Sequence, residues 1–396
     1  MRADPQRVKI IRIFSRLCVG GPSIHVISLN DLLDRKRFES ILVTGTTEPE
    51  EGDMIYLAEG RNLDIRIIPE MGVRIKPCND IISTWKLWKI IRREKPQIIH
   101  THTAKAGFLG RLLGKMAGVP ILVHTMHGHA FRGYRNFYGS GFYKWIERNL
   151  TKISDSIVTV SEDVKREIVE NRVAPPEKIR VIELGFDFSP LDDLSPHRGA
   201  LRKELGIDET AILLGAVSRL VPIKNLDMFI RAGKIMLEQG KNIKLIIAGD
   251  GETKSALEQT TREGEMESSV FFLGFRKDLP KIYADLDILV NCSHNEGTAV
   301  SAIEAMAAGV PVVATQVGGM ADLLGYGKYG MLAEPENTED LARKITDLLD
   351  HPEKAGAFGA RAKEMVRNRY ALPRLIRDID NLYIELLDKK SIGRNG

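Results

Sequence analysis

Twice along this chain, short apolar runs alternate with helix-period segments, and that rhythm narrows the fold further than any other feature. In the first half, strands are predicted at Val8–Ser15, Ile41–Thr44, Ile65–Ile68, Gln97–His100, Ile121–Thr125 and Ser156–Val160. Helices over Ser23–Leu33, Asp80–Lys95 and Thr103–Gly118 lie between them. The second half repeats the pattern, with strands at Ala211–Ser218, Ile243–Ala248, Val270–Leu273, Ile288–Asn291 and Val310–Thr315. Its helices fall at Leu226–Gln239, Lys254–Gly264, Leu279–Ala284 and Ser301–Ala308. Apolar strands joined through helices belong to a parallel sheet covered on both faces. Two doubly wound α/β domains facing each other across a cleft are the expected architecture.

The length of 396 residues suits two domains of roughly 150–200 residues, each with its own core. Residues 1–190 hold 30 Lys and Arg against 22 Asp and Glu, and the remainder 27 against 31, so the net charge of +4 divides into a basic first half and an acidic second. The change falls near SPLDDLSPHRG, a Pro-, Ser- and Asp-rich segment without apolar periodicity. The expected division is residues 1–195, residues 196–370, and a tail, residues 371–396, whose pattern LPRLIRDIDNLYIELL is an amphipathic helix able to cover either domain. Cys18, Cys78 and Cys292 are odd in number and far apart, which suggests reduced thiols in a cytoplasmic protein and not a disulfide framework. Met1–Arg16 has no apolar core of a secretory signal, and no run approaches the roughly 18 apolar residues of a membrane span. A basic first domain could face nucleic acid, an anionic membrane or an anionic acceptor; nucleic acid is set aside because no nucleic-acid-binding motif is present.

The most informative stretch is NEGTAVSAIEAMAAGVPVVATQVGG, Asn295–Gly319. Gly297, Thr298, Ala299 and Val300 form a loop between the carboxyl end of a strand and the positive end of a helix, where open α/β sheets bind phosphates and sugars. Glu296 stands at the mouth of that loop and Glu304 about one turn inside the helix. Two carboxylates are poor partners for a phosphate but good ones for sugar hydroxyls, since an ionised carboxylate accepts two hydrogen bonds from a vicinal diol. Upstream, Gly20 and Gly21 follow the first strand, a pairing that lets backbone N–H groups approach an anion. Arg219 and Lys224, in SRLVPIKN, end the first strand of the second half and offer a guanidinium fork and a movable ammonium to phosphate oxygens.

The order and spacing EAMAAGVPVVAT…VGG resembles the donor-binding signature of family-4 retaining glycosyltransferases of the GT-B fold. GGPSIHV resembles the family's GG-x-x-x-HV opening, and SRLVPIKN its G-R-L-x-x-x-K-G element, with Asn225 in place of the usual glycine. The resemblance implies roles. Arg219 and Lys224 hold the donor diphosphate, Glu304 the ribose hydroxyls, and Glu296 the 3- and 4-hydroxyls of the hexose. His127, in HTMHGHAF, reaches the donor sugar through its 6-hydroxyl, and backbone around Gly274 and Phe275 meets the base. It implies a UDP-sugar donor, retention of configuration, and a last helix that crosses back to the first domain. TAKAGFLGRLLGKMAGVPILVHTMHGHAF is especially similar to bacterial transferases acting on undecaprenyl-diphosphate glycans, so a lipid-linked or saccharide acceptor is expected.

No metal or other cofactor is expected. His100, His102, His124 and His127 lack helical i, i+4 spacing and have no carboxylate among them. His25 is taken as a packing residue, and Asp285-Leu-Asp287 and Asp378-Ile-Asp380 as structural. Seven of the 25 aromatic residues lie between Phe131 and Trp145, interleaved with Arg132, Arg135 and Lys144. That mixture suits a membrane interface or a lipid-diphosphate acceptor, or a packed hairpin. Trp85 and Trp88, with Lys86, Lys89, Arg92 and Arg93, form a second such element. A UDP-sugar 2-epimerase and a non-catalytic nucleotide-sugar scaffold are the competing functions; no acid/base motif for the former is found, and intact Arg219, Lys224, Glu296 and Glu304 weigh against the latter.

Overall fold

The computed structural model of the chain describes residues 7–18, 20–48, 52–72, 76–128 and 137–392. Its contacts divide the chain into two units: Met1–Phe186 with Leu372–Gly396, and Asp187–Ala371. The split follows Phe186, so the Pro- and Asp-rich segment lies wholly in the second unit, and the tail lies in the first.

The first unit is built on seven strands, β1 (Val8–Arg16), β2 (Phe38–Gly45), β3 (Asp64–Ile67), β4 (Ile98–His102), β5 (Ile121–Met126), β6 (Ser156–Thr159) and β7 (Ile179–Val181). All pair in parallel, in the order β3-β2-β1-β4-β5-β6-β7. The strand order reverses between β1 and β4, which opens a crevice at their carboxyl ends. Connecting helices are α1 (Gly21–Leu32), α2 (Pro77–Glu94), α3 (Ala104–Met116), α4 (Phe137–Ile153) and α5 (Glu162–Glu170). Side chains alternate along β1. Ile11 and Ile13 pack under α2 and α3 with Leu87, Ile91, Leu109 and Leu113, whereas Ile10 packs with Leu29 of α1 on the opposite face.

The second unit holds β8 (Ile212–Val217), β9 (Ile243–Ala248), β10 (Val270–Gly274), β11 (Ile288–Asn291), β12 (Val312–Thr315) and β13 (Met331–Ala333), parallel and ordered β10-β9-β8-β11-β12-β13. Its reversal falls between β8 and β11. The helices are α6 (Ala200–Leu205), α7 (Leu226–Glu238), α8 (Lys254–Glu263), α9 (Leu279–Asp285), α10 (Val300–Ala308), α11 (Met320–Leu323), α12 (Thr338–Asp350) and α13 (Pro352–Arg369). Asp285 accepts backbone N–H groups of Gly199, Leu201 and Arg202, satisfying the free donors at the start of α6. Asp287 accepts Leu213 N–H, so this acidic pair is structural, as expected.

The chain returns as α14 (Leu372–Ile392). Leu375, Ile379, Leu382 and Leu386 recur at helical spacing and are buried against Ile10, Leu29, Ile98 and Val123 of the first sheet. Between them Tyr383 reaches a buried polar network. Arg12 donates to Asn30 Oδ1 at 2.7 Å and to the Tyr383 hydroxyl at 3.3 Å, and that hydroxyl lies 2.6 Å from His100 Nδ1. On the far side of the ring, His100 Nε2 lies 2.7 Å from Thr125 Oγ1, so the imidazole links the tyrosine hydroxyl to β5.

Candidate active site

Of the predicted donor residues, Arg219, Lys224, Glu296, Gly297, Thr298, Ala299, Val300 and Glu304 lie around the switch point of the second sheet. Arg219 follows β8; it is exposed and makes no ion pair among the described residues. Its loop is fixed from the next strand end: Leu220 N–H bonds Asp250 O, and a Cβ at Gly249 would stand 1.8 Å from Ser218 O. Only glycine permits that approach, at φ +142°. The pair Gly249 and Gly251 escaped sequence reasoning, although two glycines flanking Asp250 after an apolar strand were a signal.

Lys224 closes a 3-10 turn, Pro222–Lys224, and Asn225 adopts left-handed geometry (φ 49°, ψ 40°), taking the place a glycine would fill. The turn is pinned to the end of β11, where Cys292 Sγ bonds Asn225 O at 3.0 Å and His294 N–H bonds Ile223 O at 2.8 Å. Lys224 Nζ lies 2.6 Å from Glu296 Oε1. Ser293 Oγ (2.7 Å) and Asn291 Nδ2 (3.1 Å) donate to the same oxygen. Burial alone would raise the Glu296 carboxyl, but the ammonium and these donors outweigh it and hold the group ionised, below its ordinary range. Among the described residues no donor reaches Oε2, which leaves a buried carboxylate with one oxygen open to a ligand hydroxyl. Asn291 and Ser293 were not foreseen; nothing in their spacing marks them.

Gly297, Thr298 and Ala299 lead from Glu296 into α10, which begins at Val300 without a side-chain cap, so its first amides are free for an anion. The VGG segment braces this loop from behind. Gly319 N–H bonds Glu296 O at 2.9 Å, and a Cβ on Gly318 would lie 2.0 Å from that same oxygen. On the second turn of α10, Glu304 Oε2 accepts the Tyr283 hydroxyl at 2.9 Å. Burial pushes the Glu304 carboxyl up to about 7, with the Tyr283 bond pulling weakly the other way. Gly274 and Phe275 lie farther out, at the end of edge strand β10, with Phe275 exposed.

In the first unit, Gly20 caps α1 and Gly21 begins it, with Gly20 at φ 153° and ψ 165°, a backbone that L side chains rarely adopt. His127 follows β5. Its Nε2 is 2.9 Å from His102 Nδ1, and its ring meets that of His25 edge-on, 5.1 Å between centroids. Spacing along the chain argues against a metal site among His100, His102, His124 and His127; tertiary structure brings two of them, His102 and His127, together with His25, because α1 carries His25 over the ends of β4 and β5. One nitrogen from each of His25, His102 and His127 lies within 4.8 Å of the others. Burial holds the His25 and His102 imidazoles far below their ordinary range and His127 down to about 3, so all three are neutral. Metal-binding imidazoles usually rest their outer nitrogen on a carboxylate or carbonyl. Here both nitrogens of His25, Nε2 of His102 and Nδ1 of His127 are buried without a partner among the described residues. His129 and the aromatic segment from Phe131 to residue 136 lie outside the described residues.

Two parallel-sheet units of this topology, the second with basic and acidic loops at its switch point, have the GT-B fold. Residues 19–189 match the Glycosyltransferase Family 4 model and residues 197–365 the Glycosyl transferases group 1 model, and the chain belongs to this family. It is 26% identical over 396 residues to the UDP-Gal:alpha-D-GlcNAc-diphosphoundecaprenol alpha-1,3-galactosyltransferase of Escherichia coli, across 98% of this chain and 100% of that protein. It is 24% identical to the capsular polysaccharide biosynthesis glycosyltransferase CapM of Staphylococcus aureus, across 91% and 100%. The fold is similar to that of Anabaena HepE in complex with UDP and glucose (TM-score 0.81, 23% identity, 96% and 100% covered). It is also similar to the sucrose-phosphate synthase of Thermosynechococcus elongatus (TM-score 0.80, 19% identity, 97% and 100% covered).

Proposed function

We propose that this glycosyltransferase moves a hexosyl or N-acetylhexosaminyl group from a UDP-sugar to a lipid-diphosphate-linked glycan in surface polysaccharide or glycoprotein assembly, with retention of configuration and without a metal. One observation carries the donor half. A buried, ionised Glu296 with an open oxygen stands beside Lys224, an unpaired Arg219 and the uncapped start of α10. This is cationic recognition of a diphosphate and anionic recognition of hydroxyls in one set of loops. The acceptor half draws support from full-length similarity to the galactosyltransferase acting on an undecaprenol-linked acceptor.

In this reading the bond from the anomeric carbon to the diphosphate oxygen breaks while the acceptor oxygen attacks from the same face. The acceptor proton passes to the departing phosphate. Charge growing on the leaving group is met by Arg219, Lys224 and the α10 amides, which are aimed before reaction begins. Binding the diphosphate draws Lys224 from Glu296 and frees that carboxylate for the hexose hydroxyls. Glu304 holds the ribose diol. His127 exchanges its bond to His102 for the 6-hydroxyl of the sugar.

The test is nucleotide release with EDTA present, from UDP-, GDP- and ADP-sugars, with and without a short-chain polyprenyl-diphosphate sugar. Release that requires one UDP-sugar and the lipid, giving a product of unchanged anomeric configuration, is expected. Release from another nucleotide would replace the base. Loss of activity in EDTA restored by a divalent cation would overturn metal independence, and tight donor binding without turnover on any acceptor would favour a scaffold.

A further inference from the structure

We infer that the outer face of α2, α3 and α4 is a docking surface for an anionic lipid bilayer. Of thirteen exposed large apolar side chains among the described residues, eight lie on these three helices. The helices are neighbours, α2 beside α3 and α3 beside α4. α3 and α4 are locked together by the buried Arg111–Glu147 ion pair at 2.8 Å. Their inner sides are spent on the sheet; their outer sides are greasy. On α2 the exposed residues are Ile81 (72%), Ile82 and Trp85 (55%). On α3 they are Phe108, Leu112 and Met116 (65%). On α4 Phe142 and Trp145 stack, 6.0 Å between centroids, with about three-fifths of each exposed (64% and 59%). Trp85 and Trp88 thus part company: Trp88 leans on the core, and Trp85 faces solvent with the Lys89 ammonium 3.4 Å above its ring.

The charges say what covers this face. The three helices carry three carboxylates, and each is held in an internal ion pair: Asp80 by Lys105, Glu94 by Lys9 and Arg66, Glu147 by Arg111. By contrast, Lys89, Arg92, Lys115, Arg148 and Lys152 have no ion-pair partner among the described residues. A second copy of the chain docked here would set these cations against their own kind. An anionic bilayer complements them, while Trp, Phe and aliphatic side chains enter the headgroup boundary and the lysine stems lie along it. No described helix is long and apolar enough to cross a membrane, so the attachment is to a surface. The inference rests on the lipid-linked acceptor reading for its biological sense, not for its physics.

The full chain would be sedimented with vesicles of phosphatidylcholine, alone or with about 30% phosphatidylglycerol, free of any acceptor. Each uncompensated basic residue at the surface strengthens binding roughly fivefold, so the five together set a ceiling of about 3,000-fold, and the anionic vesicles should bind at least about 100-fold more tightly, less so at high salt. The variant Trp85→Gln/Phe142→Gln/Trp145→Gln should lose at least about tenfold on the anionic vesicles. The variant Lys89→Gln/Lys115→Gln/Lys152→Gln should lose most of the anionic preference. All these positions are exposed, and unchanged melting would confirm intact folding. Wild-type protein left in the supernatant, variants that bind equally well, or a concentration-dependent dimer abolished by the apolar substitutions would each overturn the inference. Absent vesicle binding with continued transfer to a short-chain acceptor would sink the surface alone. Vesicle binding without use of any polyprenyl-diphosphate acceptor would sink the acceptor reading alone.

Discussion

Replacing Glu304 with Gln should make the protein more stable above neutrality and worse at binding its donor, and both effects follow from one carboxyl. Its folded value of about 7 stands against 4.5 in the unfolded chain. Near pH 4 the group is protonated in both states and Glu304→Gln should be neutral. As pH rises past 4.5 the unfolded chain ionises while the folded one keeps its proton, so folding stability falls until about pH 7 and stays reduced beyond it. The full gap corresponds to about 3 kcal/mol, and partial exposure of Glu304 trims this to about 2 kcal/mol. Gln keeps an acceptor for the Tyr283 hydroxyl but carries no such penalty. Calorimetric melting at pH 4 and pH 8 reads the difference, with the second unit's transition in the variant about 4–8 °C higher at pH 8 only. Ligand binding supplies the opposite sign. The ribose diol needs the ionised form, so UDP binding near pH 6.5 should release a proton in the wild type and none in the variant. The variant should bind UDP about 2 kcal/mol more weakly. A variant whose stability tracks the wild type at both pH values, or one that binds UDP with undiminished affinity, would refute the assignment.

Arg219→Ala and Lys224→Ala should each lower the affinity for UDP relative to uridine by about 1.5–3 kcal/mol, measured by titration calorimetry; equal losses for both ligands would exclude a diphosphate role. Gly318→Ala drives a methyl group into Glu296 O and should lower stability by about 2 kcal/mol or more along with donor affinity. Gly356→Ala, with open space in mid-helix, should stabilise by up to about 1 kcal/mol, and equal effects in the two would void the packing argument. Ending the chain at Ala371 removes five buried side chains, Leu375, Ile379, Leu382, Tyr383 and Leu386, together worth about 8–15 kcal/mol, comparable with the whole stability of a domain. The first unit should then be rapidly proteolysed, and survival of its melting transition would show that α14 is dispensable.

The sheets were legible because parallel strands leave little freedom: Ile288–Val290 is apolar throughout and Ile10–Phe14 is broken only by Arg12, and the loops at their ends hold glycine or asparagine. Glu296 and Glu304 were legible because strand, loop and helix follow one another locally. What pairs with them was not. Tyr283 meets Glu304 across helix packing, and Lys224 meets Glu296 across 72 residues, a contact that only adjacent strand ends create. The His25–His102–His127 assembly was hidden for the same reason, since its members come from three separate β/α junctions. Arg12 and Tyr383, 371 residues apart, lie beyond any local pattern. Helix starts moved by one to three residues at ends that carry no side-chain cap, as when α10 began at Val300 and α2 at Pro77.

The return of α14 also sets a schedule for biosynthesis. Every strand of the first sheet leaves the ribosome before residue 187, yet the helix that seals one side of that sheet is made only after the whole second unit. At bacterial elongation rates the intervening unit delays it by roughly 10–40 s. During that interval the second unit, contiguous in sequence, can close on its own, while Ile10, Ile98 and Val123 wait uncovered for Leu375 and Ile379. A nascent chain stalled anywhere before α14 therefore displays an unfinished sheet, which quality-control proteases can recognise.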